Sequence, residues 1–274
     1  ISHCARPTVT PDFLASTGKP YLKWKAVSGA GEYQVYRAGT RNGTYKLLGT
    51  TTKLNYTDTT ASTGYTYFYR IKAVSRVKTA ANSVYSDAVG AISHCARPMV
   101  TPDYLTATGK PYLKWKAVSG AAEYQVYRAA TKGGTYKLLG TTTKLNYTDT
   151  TASTGYTYFY RIKAVSRVKT AANSVYSDAV GAISHCAKPV VEITTSGGKP
   201  KLTWSAVSGA AGYQVYRATS SGGTYTKIAD TTAKTYTDQT AKAGTTYYYK
   251  VKAVSRVKTT ANSAYSAVKS IQTK

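Results

Sequence analysis

One segment of this chain occurs three times. The heptapeptide Ile-Ser-His-Cys-Ala-Arg-Pro begins at Ile1 and at Ile92, and a copy with lysine in place of arginine begins at Ile183. The first two copies keep a constant offset, and the third is two residues shorter before its tryptophan. A solenoid unit holds about 20–50 residues, whereas about 90 residues suffice for a small domain. We therefore predict three domains, called repeats 1, 2 and 3: residues 1–91, 92–182 and 183–274.

Positive charge is spread evenly over the repeats. The formal net charge is +26, with 12 basic and 4 acidic residues in each of repeats 1 and 2, and 13 and 3 in repeat 3. Such a charge attracts anionic polymers such as nucleic acid, acidic glycan or a cell-wall phosphate polymer. The sequence contains no run of about 18 apolar residues, so we predict no membrane insertion. We expect the isolated segment to be monomeric.

Within a repeat, apolar residues alternate with polar ones, as they do in strands with one buried face. Leu22, Trp24 and Ala26 alternate with tyrosine and lysine in the segment 20–27. Repeat 3 keeps this apolar set and changes the outer set, which indicates the solvent face. Tyrosine, present 27 times against 3 phenylalanines, suits half-buried strands.

Further segments complete a seven-stranded unit. A strand is predicted at 32–37, and Asn42-Gly43 indicates a tight hairpin after it. The longest strand is predicted at 65–74 and the last at 82–89. No segment has helical periodicity, and turn residues recur at the spacing of about 8–12 residues that is typical of a β-sandwich. We predict an all-β chain of three tandem seven-stranded β-sandwiches, arranged as an elongated rod.

The repeats resemble the fibronectin type III family, whose domains are immunoglobulin-like β-sandwiches. The resemblance rests on a tryptophan in the second strand, on Tyr33-x-Val35 in the third and on Gly64-x-x-Tyr67 in the sixth. It implies that the tryptophan packs in the core and that the tyrosine after the glycine forms a tyrosine corner, with its hydroxyl bonded to the backbone. These core residues are Trp24, Trp115 and Trp204, together with Tyr67, Tyr158 and Tyr247.

Three short segments, Tyr-Gln-Val-Tyr-Arg, Asn-Tyr-Thr-Asp and Gly-x-Thr-Tyr, are most similar to tandem modules in large surface proteins of Gram-positive bacteria. In those modules an aliphatic residue stands where Cys4 does, which implies that Cys4, Cys95 and Cys186 are reduced core residues. Equivalent cysteines would lie a domain apart, beyond the limit of about 7 Å for a disulfide. Adjacent residues point to opposite faces of a strand, so His3 and Cys4 do not converge. We predict no metal site and no cofactor.

The sequence lacks the residue arrangements that catalysis requires. A glycosidase needs two carboxylates facing one cleft, yet acidic residues are few and repeat 3 has no match for Glu32 or Asp87. Asp58 has a structural role to play, because a short acidic side chain caps the turn after a strand. A nucleophilic cysteine needs an oriented base, and His3 points away from Cys4. We predict that the chain is not an enzyme.

One set of residues has binding chemistry: a tyrosine-and-basic face on the sheet of the third, sixth and seventh strands. Tyrosine rings beside cations stack on sugars or bases, and the cations pair with anions. Long basic side chains also simply cover a sheet surface, so both interpretations stay open. Nucleic acid is the weaker choice, since no groove-entering helix is predicted. The candidates are Tyr36, Arg70, Lys72, Arg76 and Lys78; Tyr127, Arg161, Lys163, Arg167 and Lys169; and Tyr216, Lys250, Lys252, Arg256 and Lys258.

These observations favour a non-enzymatic, extracellular spacer array of a bacterial cell-surface or secreted protein, in which weak sites would add up through repetition. One alternative is an adhesin that binds a host glycoprotein or acidic glycan through the tyrosine-and-basic face. Another is a set of accessory modules of a glycan-degrading enzyme. The partners to test are a host protein, an anionic glycan and a cell-wall polymer. Salt separates the hypotheses, because it weakens binding to a basic face and leaves a spacer unchanged.

Overall fold

The computed structural model describes residues 3–77 and 81–273. Within these ranges each repeat pairs a three-stranded with a four-stranded antiparallel sheet, which confirms the predicted all-β fibronectin type III-like fold. Short 3-10 turns occur at Thr170–Ala172 and Thr259–Ala261. No helix in the described part of the chain is long and apolar enough to cross a membrane.

The described residues of repeat 1 form seven strands. Their bounds are Val9–Phe13 (β1), Pro20–Trp24 (β2), Ala30–Ala38 (β3), Lys46–Thr51 (β4), Asn55–Thr57 (β5), Thr66–Ser75 (β6) and Val89–Ile92 (β7). The three-stranded sheet has the order β1-β2-β5, and the four-stranded sheet has the order β4-β3-β6-β7. The sheets enclose the core, and the outer surface of β3 and β6 carries the predicted face.

Repeats 2 and 3 have the same strand order. Repeat 2 comprises Val100–Tyr104 (β8), Pro111–Trp115 (β9), Ala121–Ala129 (β10), Lys137–Thr142 (β11), Asn146–Thr148 (β12), Thr157–Ser166 (β13) and Val180–Ile183 (β14). Repeat 3 comprises Val191–Ser196 (β15), Lys199–Trp204 (β16), Ala210–Ala218 (β17), Thr226–Thr231 (β18), Thr235–Thr237 (β19), Thr246–Ser255 (β20) and Lys269–Gln272 (β21). The predicted boundaries at residues 91 and 182 fall inside β7 and β14.

The core of each repeat lies between its two sheets. In repeat 1, Leu22, Val35 and Ile71 are fully buried and Trp24 is nearly so. Burying a side chain of this size contributes about 1.5–3 kcal/mol, so the alternating residues of β2, β3 and β6 supply much of the stability. Ala26 was predicted on the buried face but is exposed, because β2 ends at Trp24 and the chain turns away.

The last strand differs from the prediction of a strand at 82–89. β7 begins at Val89, and the segment before it follows β6 irregularly. Serine hydroxyls replace regular ladder partners there: the Ala73 N–H donates to Ser83 Oγ at 2.8 Å, and Ser86 Oγ accepts from β6 in the same way. The alternation of residues predicted a strand here because it does not distinguish a serine on a regular strand from a serine whose hydroxyl takes the place of a backbone hydrogen-bond partner.

The tight hairpin predicted at Asn42-Gly43 is instead a longer loop, residues 39–45. The Gly43 N–H donates to the Thr40 carbonyl at 3.2 Å, and Gly43 does not have the positive φ that a two-residue hairpin turn requires. A Cβ at Gly43 would lie 2.7 Å from Thr40 Oγ1. Packing in the turn, rather than backbone conformation, therefore accounts for this glycine.

The tyrosine three residues after the glycine that precedes the sixth strand bonds back to the backbone in every repeat. The Ser62 N–H donates to the Tyr67 hydroxyl oxygen at 3.2 Å. This bond fastens the segment before β6 to the sheet. The equivalent bonds join Ser153 to Tyr158 and Lys242 to Tyr247, both at 3.3 Å.

Candidate functional site

On the outer surface of repeat 1, cations stack on tyrosine rings. The Arg70 guanidinium lies 4.5 Å from the ring centre of Tyr45, and Lys72 Nζ lies 5.5 Å from that of Tyr85. Tyr36 meets Tyr85 edge to face, with ring centres 5.0 Å apart. Such cation–π contacts contribute about 0.5–1 kcal/mol each at exposed sites. The face is therefore a ladder in which rings and cations alternate.

The register of the sheet assembles this ladder. β3 pairs with β6 so that Tyr36 lies opposite Arg70 and Gln34 lies opposite Lys72. Alternate residues of a strand share one face, so these four side chains lie together on the outer surface. The Tyr36 hydroxyl donates to Gln34 Oε1 at 2.8 Å. Burial and the neighbouring Tyr85 raise the pKa of Tyr36, so its hydroxyl stays protonated at neutral pH.

Repeat 2 carries the same ladder. The Arg161 guanidinium lies 4.4 Å from the ring centre of Tyr136, and Lys163 Nζ lies 5.5 Å from that of Tyr176. Tyr127 meets Tyr176 edge to face at 5.0 Å. The distances match those of repeat 1 because the two sequences differ at few positions.

In repeat 3 the ladder has lysine in place of arginine. Lys250 Nζ lies 3.8 Å from the ring centre of Tyr225, and Lys252 Nζ lies 5.3 Å from that of Tyr265. Tyr216 meets Tyr265 edge to face at 5.1 Å. The cation-on-ring arrangement therefore persists in the most divergent repeat.

The arginines that follow the sixth strand lie at the end of the sheet rather than on the ladder. Arg76 Nε donates to the Ala30 carbonyl at 3.0 Å. This bond fastens the first residue of β3 to the residue that follows β6. The equivalent bonds join Arg167 to Ala121 at 3.3 Å and Arg256 to Ala210 at 3.4 Å.

The last lysine of each predicted set in repeats 2 and 3 lies at the junction with the preceding repeat. Lys169 Nζ donates to Thr66 Oγ1 of repeat 1 at 2.8 Å, and Lys258 Nζ donates to Thr157 Oγ1 of repeat 2 at 2.8 Å. Lys78, their counterpart in repeat 1, lies outside the described residues. The candidate residues thus divide into a ladder on the sheet, an arginine at the loop and a lysine at the junction with the preceding repeat.

The junction between repeats 1 and 2 joins one end of a sandwich to the opposite end of the next. The ring of Phe13, at the end of β1, stacks on His94 with centres 3.9 Å apart. The His94 N–H donates to the Gly18 carbonyl at 2.7 Å, and the Arg97 N–H donates to the Ala15 carbonyl at 2.8 Å. The β1–β2 loop of repeat 1 is therefore bonded directly to the segment that enters repeat 2.

Two glycines allow this close approach. Gly18 has a φ of 72°, and a Cβ there would overlap the carbonyl of His94. Gly64 has a φ of 95°, and a Cβ there would lie 2.5 Å from Val168 Cγ2. Each position therefore requires glycine for its backbone conformation and for contact with the next repeat. These contacts were not predicted from the sequence, although His94 and Gly18 both have counterparts at the next junction, His185 and Gly109.

The junction between repeats 2 and 3 is built in the same way. Tyr104 stacks on His185 with ring centres 3.9 Å apart. The His185 N–H donates to the Gly109 carbonyl at 2.7 Å, and the Lys188 N–H donates to the Thr106 carbonyl at 2.9 Å. Since the contacts coincide, we expect the two junctions to have similar bend and twist.

Acidification is expected to weaken both junctions. Burial lowers the pKa of His94 and His185 below the ordinary 6.5, and Lys169 and Lys258 lower it further, against the opposing contacts with backbone carbonyls. When a junction opens, its histidine regains the ordinary pKa and binds a proton more readily than in the closed junction. The closed junction is therefore most stable above pH 6.5 and becomes less stable as the pH falls below it. NMR titration of the two imidazoles should give midpoints below those of the chain in urea. Equal or higher midpoints would contradict this expectation.

A buried ionic network holds β3 to the turn after β5. Arg37 Nη1 and the Tyr69 hydroxyl donate to Asp58 Oδ2 at 2.8 and 2.7 Å. The Thr60 N–H and hydroxyl donate to Asp58 Oδ1 at 3.0 and 2.8 Å. Burial acts to raise the pKa of Asp58, but the bonds from Arg37, Tyr69 and Thr60 outweigh it and hold the pKa below 3.8. The carboxylate is fully engaged in structure, and it caps the turn as predicted.

The cysteines are free and lie in the cores. Cys95 and Cys186 are fully buried, whereas Cys4 is 9% exposed. Burial raises the pKa of Cys95 and of Cys186, which disfavours the reactive thiolate. Among the described residues, no group of three or more histidine, cysteine, aspartate or glutamate side chains could hold a metal ion.

We therefore expect Cys95 and Cys186 to react slowly with a disulfide reagent in the native protein, and Cys4 to react first. The reagent releases one thiol for each cysteine that reacts, so following its release over time at neutral pH measures this order. In the control, the chain in guanidinium, all three cysteines react at once. Equally fast reaction of all three thiols in the native protein would show that the cores are open.

Known proteins match this chain over limited stretches of their own length. No family model matches it. Exoglucanase B of Cellulomonas fimi is 33% identical over 266 residues, which are 88% of this chain and 23% of that protein. Amylopullulanases of Thermoanaerobacter thermohydrosulfuricus and Thermoanaerobacterium saccharolyticum are 36% and 42% identical over 70 and 65 residues, in each case 5% of that protein. The chain thus spans less than a quarter of the length of these proteins.

Two solved structures are also similar. A Fn3-like protein from Clostridium thermocellum is 40% identical, covering 32% of this chain and 88% of its own, with a TM-score of 0.27. The FN1–FN3 domains of chicken CNTN1 are 14% identical and cover 99% of both chains, with a TM-score of 0.32. The strand order of each repeat is that of the predicted fibronectin type III-like β-sandwich.

Proposed function

We propose that these three tandem fibronectin type III-like domains form a non-catalytic, extracellular spacer within a bacterial glycan-degrading enzyme. The observation that carries the proposal is the common construction of the two junctions. In each, backbone hydrogen bonds, an aromatic ring on a histidine and a close glycine contact join the end of one sandwich to the start of the next. A chain built this way sets a fixed distance between whatever lies at its two ends.

The sequence relatives support placing the spacer in such an enzyme, the second alternative drawn from the sequence. The chain aligns over 88% of its length with Exoglucanase B and yet covers 23% of that protein. Parts of it also align with 5% of two amylopullulanases. A segment shared by enzymes with different names fits a part that does not select the substrate. Catalysis would then reside in the other domains of the enzyme.

Binding through the tyrosine-and-basic face is the second candidate function, and the recurrence of the ladder in all three repeats favours it. A sugar would stack on an open ring face. In repeat 1, however, Arg70 lies over Tyr45 and Lys72 lies over Tyr85. Stacking would first have to break these contacts, so the ladder supports a stable solvated surface better than a binding site.

Small-angle scattering of the full chain tests the spacer. A sandwich with strands of about 7 residues at about 3.3 Å each, plus loops, spans about 30–40 Å, so three end to end reach about 100 Å. A single globule of this length would measure about 60 Å across, and that result would overturn the proposal.

A glycine variant links the shape to the junction. Gly109→Ala places a Cβ against the His185 carbonyl, whereas Gly133→Ala meets open space and serves as the control. We expect the first variant to scatter as a flexible chain and the second to scatter like the parent. Identical scattering from Gly109→Ala and the parent would show that the observed junction does not set the spacing.

Affinity electrophoresis separates the two functions. A spacer should migrate unretarded through gels that contain cellulose, starch or polygalacturonate at 150 mM salt. Retardation that Lys72→Gln, Lys163→Gln and Lys252→Gln together abolish would establish the second function instead. The control removes the same charge from exposed lysines away from the ladder: Lys53→Gln, Lys144→Gln and Lys234→Gln.

A further inference from the structure

The two junctions define a pair of complementary surfaces. The loop end of a repeat comprises the aromatic residue at the end of its first strand, the loop that follows and the glycine before its sixth strand. In repeat 1 these residues are Phe13, Gly18 and Gly64. The receiving end comprises the histidine before the first strand, the glycine after the second and the valine after the sixth. In repeat 2 these residues are His94, Gly120 and Val168.

Repeat 1 has a receiving end with the same residues at the same positions. Gly29 has a φ of 78°, and its counterpart Gly120 has a φ of 77°, so the loop after the second strand has the same conformation in both. Val77 is 82% exposed, whereas Val168, which contacts the preceding repeat, is 51% exposed. His3 is exposed as well. The surface that is covered in repeat 2 is therefore open in repeat 1.

We propose that this open end of repeat 1 docks the loop end of another repeat of the type of repeats 1 and 2. The partner would stack an aromatic ring on His3, as Phe13 does on His94. Its loop would offer two carbonyls to the amides of His3 and Arg6. The inference rests on the junction contacts alone and stands whether or not the chain serves as a spacer.

The loop end of repeat 3 does not have the matching features. Thr195 pairs with Pro200 where Phe13 pairs with Pro20, so no aromatic ring is available there. β15 and β16 are joined by Gly197-Gly198 alone, so the loop that supplies the two carbonyls is missing. The two ends of the array therefore differ. Repeat 1 presents a receiving end that fits a repeat like itself, whereas repeat 3 does not present a matching loop end.

A four-repeat protein tests the docking. An additional copy of residues 1–91 is placed before Ile1, which keeps the natural spacing, and the copy carries Thr8→Val as a mass marker. The peptides over residues 1–8 of the added copy, of repeat 1 and of repeat 2 then differ in mass. Hydrogen exchange can therefore be followed at a free end, at the proposed docked end and at a known junction within one molecule.

Docking predicts that the repeat 1 peptide exchanges about tenfold more slowly than in the three-repeat chain, because the His3 and Arg6 amides become bonded. Its rate should approach that of the repeat 2 peptide. An unchanged rate would overturn the proposal, provided that the marked peptide over β1 of the added copy is protected and the copy is therefore folded.

Two matched proteins sharpen the result. Phe13→Thr in the added copy alone introduces the residue type found in repeat 3, and it should remove most of the new protection. Joining residues 3–91 of a marked copy after Thr273 keeps the natural spacing and presents the same receiving end, with its histidine, to repeat 3, and no protection should appear at its Arg6. Equal protection in either protein would show that the ring and the loop do not determine the docking.

Discussion

Replacing Trp115 with alanine is expected to lower the free energy of unfolding of repeat 2 by about 3–5 kcal/mol. The indole is 6% exposed, and its ring centre lies 5.3 Å from that of Tyr124. It belongs to the cluster that includes Leu113 and Ile162, and the two sheets cannot collapse into so large a cavity. Domains typically have about 5–15 kcal/mol of stability, so repeat 2 would become marginal.

Urea unfolding measures this effect repeat by repeat. The fluorescence of the remaining tryptophans, Trp24 and Trp204, reports on the neighbours, while circular dichroism reports on the whole chain. Trp115→Phe is the matched control and should cost less, because it keeps an aromatic ring and removes an indole N–H that has no partner among the described residues. An alanine variant within about 1 kcal/mol of the parent would show that the indole does not fill the core.

The fold could be predicted from the sequence because its determinants are local and repeated. Leu22 and Trp24 on one side of a strand, with lysine and tyrosine on the other, already specify which side is buried. The predictions of the last strand and of the tight hairpin were wrong, because both depend on local hydrogen bonds and packing. Ser83 replaces a ladder partner, and Gly43 fits a turn for packing reasons. Neither effect leaves a trace in alternation.

The candidate face was only partly predictable. Tyr36, Arg70 and Lys72 come together because strand register and alternation are regular. Tyr45 and Tyr85, which complete the ladder, lie outside regular strands, so their positions depend on how the loops fold back. The junction was harder still, since the stacking of Phe13 on His94 depends on how two separate domains meet. Such a contact can be predicted only when the relative positions of the two domain ends are known.

The second large effect is expected from Asp149→Asn, which should destabilise repeat 2 by about 3–5 kcal/mol at neutral pH. Asp149 is 1% exposed and accepts hydrogen bonds from Arg128 at 2.8 Å, from Tyr160 at 2.7 Å and from the Thr151 N–H at 3.0 Å. An amide is neutral and its NH2 group only donates, so Arg128 would lose its counter-ion while remaining partly buried. The cost is that of an uncompensated charge.

The pH dependence and a surface pair distinguish this mechanism from a general loss of packing. Burial acts to raise the pKa of Asp149, but the bonds from Arg128, Thr151 and Tyr160 lower it below 3.8. The stabilisation by the ionised carboxylate is therefore complete above pH 3.8 and is lost as the pH falls through the lowered pKa. Urea midpoints of parent and variant should accordingly differ at pH 7 and converge in strong acid. Asp178→Asn removes a pair with Arg97 in which the aspartate is 90% exposed and should change the stability by less than about 0.5 kcal/mol. An equal effect of the two variants, or a difference that persists in acid, would contradict the role of the buried ion pair.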